Sequence, residues 1–199
     1  MINIDTIMQY CGSLSTLHDL SKSDDAKRYV TDSQILAVNF DRVKEEYFLH
    51  MADKLNFAHF HEKPKSTDNC PKSPDALYIS ADNEIYFIEC KVSNKPSPNN
   101  VRIKALEGLL MFMDITQTDR HFARNHITYI VASGEQPAQE YNVQMAEHVS
   151  KRADEPNAPV RFNMARFKGI YFKDILTLDS YSFNNFICEN GWTSMSYPM

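Results

Sequence analysis

The chain has 199 residues, 43% hydrophobic and 24% charged, with 12 Phe and 10 Tyr, so it holds enough apolar material for one ordinary core and is not an intrinsically disordered chain. Its formal net charge of −5 and pI of about 5.8 exclude a protein that holds nucleic acid by bulk electrostatics. Cys11, Cys70, Cys90 and Cys188 form no C-x-x-C pair, which argues against a zinc knuckle, and no apolar run approaches the ~20 residues of a membrane helix.

The opening residues carry no basic n-region, so no secretory leader is expected and the cytoplasm is the expected compartment. Residues 1–40 read as a helical N-terminal extension, broken at 21–25, with Asp32 or Ser33 capping a second helical stretch that runs to Phe40. In 41–55, Phe40, Val43, Tyr47, Met51 and Leu55 recur at helical spacing, and Glu45 and Glu46 flank that stripe. Residues 57–61 suit a short strand. The proline-bearing stretch that follows suits only a loop.

Residues 75–80 and 84–92 are two strands joined by a polar turn at 81–84, an antiparallel hairpin. After a loop with two prolines, 101–115 is a strong helix, apolar along Ile103, Leu106, Leu110 and Met113. Residues 126–133 are a buried strand stopped by Gly134. A helix over 139–152 and a strand within 166–178 complete the C-terminal additions of 134–199. The sum is a single α/β domain with a mixed sheet and flanking helices.

Chemistry concentrates in the hairpin. Pro74-Asp75 opens its first strand, and Glu89-Cys90-Lys91 closes the second. Residues two apart on a strand share a face, so Glu89 and Lys91 point the same way, and the hairpin brings Asp75 beside them. Two carboxylates can hold a hard cation such as Mg²⁺ or Mn²⁺, and Asp75 and Glu89 together are expected to hold Lys91 as a cation when no metal is bound. The stretch 61–104 carries seven Lys/Arg against six Asp/Glu, so the motif lies in one of the chain's few basic stretches.

The set formed by PD at 74–75, ExK at 89–91 and an upstream helical Glu resembles the PD-(D/E)xK nuclease superfamily. In layout, 41–92 is most similar to Holliday-junction resolvase and VRR-type nucleases. That resemblance spans about 41–133 and implies a restriction-endonuclease-like core in the order helix, strand, strand, strand, helix, strand. It implies metal-dependent phosphodiester hydrolysis with Mg²⁺ or Mn²⁺, of DNA in preference to RNA. Asp75, Glu89 and Glu45 would be the metal ligands, with Glu46 the alternative to Glu45, and Lys91 would orient water or stabilise the transition state. A homodimer suits a nuclease that cuts both strands of a two-fold duplex.

Other residues keep two readings. Arg102 and Lys104 at the start of the second helix are either solvated or in contact with the nucleic-acid backbone, and Glu107 is placed to pair with Lys104. His61 is a candidate for substrate phosphate. His59 and His61 with Cys70 fit no familiar zinc spacing. No G-x-x-x-x-G-K-[ST] loop or G-x-S-x-G elbow occurs. Two alternatives stand beside DNA hydrolysis. One is a ribonuclease on the same core, of toxin or cap-snatching type, for which His50 or His18 with Lys104 would have to serve. The other is a catalytically inactive binding or interaction module.

Overall fold

The two-residue period of a strand puts Phe87, Glu89 and Lys91 on one face of the segment 85–91 and Tyr86, Ile88 and Cys90 on the other. Both faces are apolar enough to need cover. A computed structural model, which describes residues 4–23, 27–54, 71–92, 97–134 and 160–195, shows how each is covered.

The elements are α1 (Asp5–Cys11), β1 (Leu14–Thr16), α2 (Leu17–Leu20), β2 (Leu36–Asn39), α3 (Phe40–Lys54), β3 (Ala76–Ile79), β4 (Ile85–Lys91), α4 (Pro98–Thr116), α5 (Arg120–His126), β5 (Ile127–Ser133), β6 (Asp174–Asp179) and α6 (Ser180–Glu189). The six strands form one mixed sheet in sequence order, antiparallel from β1 to β4 and parallel from β4 to β6. The change of sense follows from the connections. A short turn joins β3 to β4, with Asn83 at positive φ (62°), whereas α4 and α5 carry the chain back so that β5 runs parallel to β4.

Phe87 faces Phe112 of α4 and Phe40 at the start of α3, with ring centroids 5.3 and 5.4 Å apart, so the Glu89 face lies under the α3–α4 layer. The opposite face is closed by the C-terminal segment. Trp192 stacks on Tyr78 at 4.1 Å and lies 4.7 Å from Tyr86, and Phe186 packs edge-on against both Tyr86 and Trp192. Tyr78 Oη donates to the Thr193 carbonyl, and the Met195 N–H donates to the Leu36 carbonyl, which ties the tail across β2 and β3. No helix among the described residues is long and apolar enough to cross a membrane.

The hairpin, the long helix, and the strands at 127–133 and 174–179 fall where the sequence places them. The helical stretch expected up to Phe40 does not: 36–39 is the strand β2. Its partners explain the difference, because Val38 pairs with Leu14 on one side and Leu77 on the other, and tertiary pairing overrides a weak local preference. The expected strand at 57–61 and helix at 139–152 lie outside the described residues. The C-terminal segment also contains α6, which the sequence reading did not assign, capped by the Asp179 carboxylate accepting from the Ser182 N–H at 2.7 Å.

Candidate active site

Asp75 immediately precedes β3, and the register that pairs Ala76 with Ile88 sets it opposite Glu89. Its backbone carbonyl accepts from the Phe40 N–H, which fixes it against the start of α3. Its carboxylate reaches across the hairpin, Oδ2 accepting from the Cys90 N–H at 2.6 Å. Pro74 packs onto Gly108 of α4, so the motif's proline fits the loop against the helix directly in front of the acid.

Glu89 is fully buried, a costly place for a carboxylate without compensation. Two lysines supply it. Lys91, two positions on along the same strand face, forms an ion pair with Oε1. Lys104 comes from the second turn of α4. Its Nζ lies 3.0 Å from each Glu89 oxygen and 2.9 Å from Asp75 Oδ1. The ammonium of Lys104 therefore bridges the two carboxylates. Oε1 of Glu89 lies within ion-pair range of both lysines.

Burial pushes the Glu89 carboxyl up to about 7, and the neighbouring Asp75 charge adds to this against the pull of Lys104 and Lys91. Asp75 is also raised, by burial first, with Lys104 opposing. Burial alone would lower the Lys104 ammonium, but Glu89 and Asp75 outweigh it and hold the amine charged. Behind the acids stands Tyr129, fully buried. Its hydroxyl has no hydrogen-bond partner among the described residues, and it is pushed far up by burial and then by the Glu89 and Asp75 charges.

Asp75, Lys91 and Lys104 line a cleft of about 610 Å³, and the fully buried Glu89 lies behind them, outside the lining. Its lining comes from four places: Asp19, Lys22 and Arg28 of the N-terminal segment, Asn39 and Asp41 at the β2–α3 junction, the end of the hairpin, and Asn100 and Lys104 of α4. Asp41 sits in the first turn of α3, where Asn39 Oδ1 accepts from the Arg42 N–H. Its carboxylate accepts from Ser73 Oγ at 2.6 Å and pairs with Lys44 at 2.9 Å.

The structure thus brings together Asp75, Glu89, Lys91 and Lys104, and it corrects three expectations. Lys91 is not held by both acids: Glu89 is its partner, and Lys104 takes Asp75. Glu107 does not pair with Lys104; it accepts from the Lys72 N–H at 2.6 Å. Glu45 and Glu46 are exposed on α3 and do not line the cleft, whereas Asp41, one turn before Glu45, does. Arg102 also lies outside the lining and hydrogen-bonds Asn99, and His61 lies outside the described residues. His18 is engaged with the Thr31 carbonyl and the Tyr29 ring, and His50 lies against Tyr10. Asp41 was legible only as an acid in the first turn of a helix after a capping Asn, and with no strand expected at 36–39 that junction had no reason to face the site.

Among the described residues, no group of three or more His, Cys, Asp or Glu side chains forms a ready-made metal cage. The donor chemistry still suits a hard cation. Asp75 and Glu89 direct oxygens at one point already occupied by a positive charge. No family model, curated protein or solved structure matches the chain.

Proposed function

We propose that this protein is a metal-dependent nuclease of the PD-(D/E)xK kind, acting on DNA in preference to RNA. One observation carries the reading: Asp75, just before the first strand of the hairpin, and Glu89, on the second, converge on a single cation, the Lys104 ammonium, which with Asp75 and Lys91 lines an open cleft. The antiparallel run β2–β3–β4, followed by α4 and the parallel strand β5, is in keeping with a restriction-endonuclease-like core.

Asp75 and Glu89 would hold Mg²⁺ or Mn²⁺, with Asp41 at the rim as the third acid in place of Glu45. A divalent ion supplies, when bound, activation of water and screening of charge on the phosphate. The remaining work falls to the chain. Glu89 keeps the Lys91 ammonium at the floor of the cleft, where it can stabilise negative charge on a phosphate oxygen. Lys22 and Arg28 line the same cleft and give a polynucleotide backbone something to bind in a chain of net negative charge.

Lys104 favours a second reading. A site whose two acids are already neutralised by lysines can stand as a fixed ion-pair cluster in a module that binds a partner without chemistry. Incubating the protein with supercoiled plasmid, single-stranded DNA and total RNA, each with Mg²⁺, Mn²⁺ or EDTA, separates the two. Cleavage that needs metal and is lost in Asp75→Ala and Lys91→Ala supports the nuclease. Absence of cleavage of every substrate by folded wild-type protein supports the module.

A further inference from the structure

We propose that the Lys104 ammonium and a divalent metal ion occupy the same place in turn, so that metal entry expels Lys104 into the cleft. The inference rests on the reading of Asp75 and Glu89 as metal ligands.

The geometry leaves little room for both cations. Lys104 Nζ is 2.9 Å from Asp75 Oδ1 and 3.0 Å from both Glu89 oxygens, so it stands at the junction where an ion shared by the two carboxylates would have to bind. A divalent ion draws oxygens to roughly 2.0–2.6 Å, which excludes an ammonium from their midst. Charge forbids an empty junction. Glu89 is fully buried, and losing Lys104 without a replacement would leave Asp75 and Glu89 against each other with Lys91 alone. The ammonium therefore leaves only as another cation arrives. Lys91 cannot take over the role, because it is paired with Glu89 and not with Asp75.

The lysine also has somewhere to go. It lines the cleft with Asn100, its side chain is 17% exposed, and Asp41 at the rim already attracts its charge. Its four-carbon stem can swing without any movement of α4. Once expelled, the ammonium stands beside the place where a phosphate would meet Lys91. Lys104 then has two states, holding the acids together without metal and facing substrate with it.

Two measurements test this on the full chain. The first is competitive acetylation of wild-type protein with acetic anhydride, read by peptide mass spectrometry in EDTA and in saturating Mn²⁺. Lys104 labelling is expected to rise several-fold with Mn²⁺, while Lys168, paired with Asp174 on the surface, stays constant. The second is Mn²⁺ binding by calorimetry to wild type, Lys104→Gln and Lys91→Gln. Lys104→Gln is expected to bind Mn²⁺ at least about tenfold more tightly than Lys91→Gln, because only the former removes the competitor and not merely a neighbouring charge. Lys104 labelling that is unchanged at saturating Mn²⁺, or equal tightening in the two variants, would overturn the exchange and leave the metal site standing. Failure of Mn²⁺ to bind either the wild type or Lys104→Gln would overturn both.

Discussion

Pro74 lies so close to Gly108 that a Cβ on the glycine would stand 2.4 Å from Pro74 Cδ. In an exposed helix, replacing Gly with Ala gains about 1 kcal/mol from backbone entropy alone. Here the added methyl must push the proline and α4 apart, and overpacking of that kind costs about 1–3 kcal/mol. Pro74 is bonded to Asp75, and Gly108 lies one turn beyond Lys104. The same strain would therefore loosen the Asp75–Lys104 contact. Gly108→Ala is expected to lower the urea midpoint; a raised midpoint would show that the loop yields freely and does not position Asp75.

Asp41 and Glu45 lie one turn apart on α3 and should behave differently. Asp41 lines the cleft and accepts from Ser73, whereas Glu45 is exposed away from the lining. Asp41→Ala is expected to weaken metal-dependent cleavage by about 10- to 100-fold, the usual scale for groups that support a metal site. Glu45→Ala should change stability by less than about 0.5 kcal/mol and leave cleavage unaltered. Nicking assays across a Mn²⁺ titration compare the two, and the reverse order of effects would return the third acid to Glu45.

The contrast between these acids shows what the sequence could and could not disclose. Asp75, Glu89 and Lys91 were legible because strand period and a short turn dictate neighbours without any long-range knowledge. Lys104 was legible as a cation at the start of a helix, but not as the bridge between Asp75 and Glu89. Its partners lie 29 and 15 positions away and depend on how α4 crosses the sheet. Asp41 was lost with β2: four residues whose strand character comes from pairing with both β1 and β3 carry little local signal of their own. Trp192 was unreadable for the same reason, since only the folded sheet brings Tyr78 and Tyr86 under it.

Arg28 is exposed, lines the cleft, and has no side-chain partner among the described residues. If it meets a backbone phosphate, Arg28→Ala should weaken oligonucleotide binding by a similar factor for every sequence. It should also reduce the salt slope of log K by about 1. The melting temperature should not move, because the Arg28 side chain has no partner among the described residues to lose. Fluorescence anisotropy of a labelled oligonucleotide over a range of salt concentrations measures both quantities. A slope equal to wild type would place the backbone elsewhere in the cleft.

Glu89 makes stability depend on pH, and the sign follows from its burial. Its carboxyl titrates near 7 in the folded protein against 4.5 for an unperturbed glutamate. Between those values the folded state holds a proton that the unfolded chain has released, so folding stability falls as pH rises through this window. Below about 4.5 both states are protonated and the group contributes nothing; above about 7 both are ionised and the full cost, on the order of 3 kcal/mol, is present. Asp75, also raised by burial, acts in the same direction. Denaturant titrations from pH 5 to 8 should therefore show wild type losing stability relative to Glu89→Gln as pH rises. The opposite trend would mean that Lys91 and Lys104 hold Glu89 ionised despite its burial. Mn²⁺ at about 100 times its Kd should return about 2.7 kcal/mol to wild type at pH 8. It should return much less at pH 5, where the proton on Glu89 competes with the metal for the same oxygens.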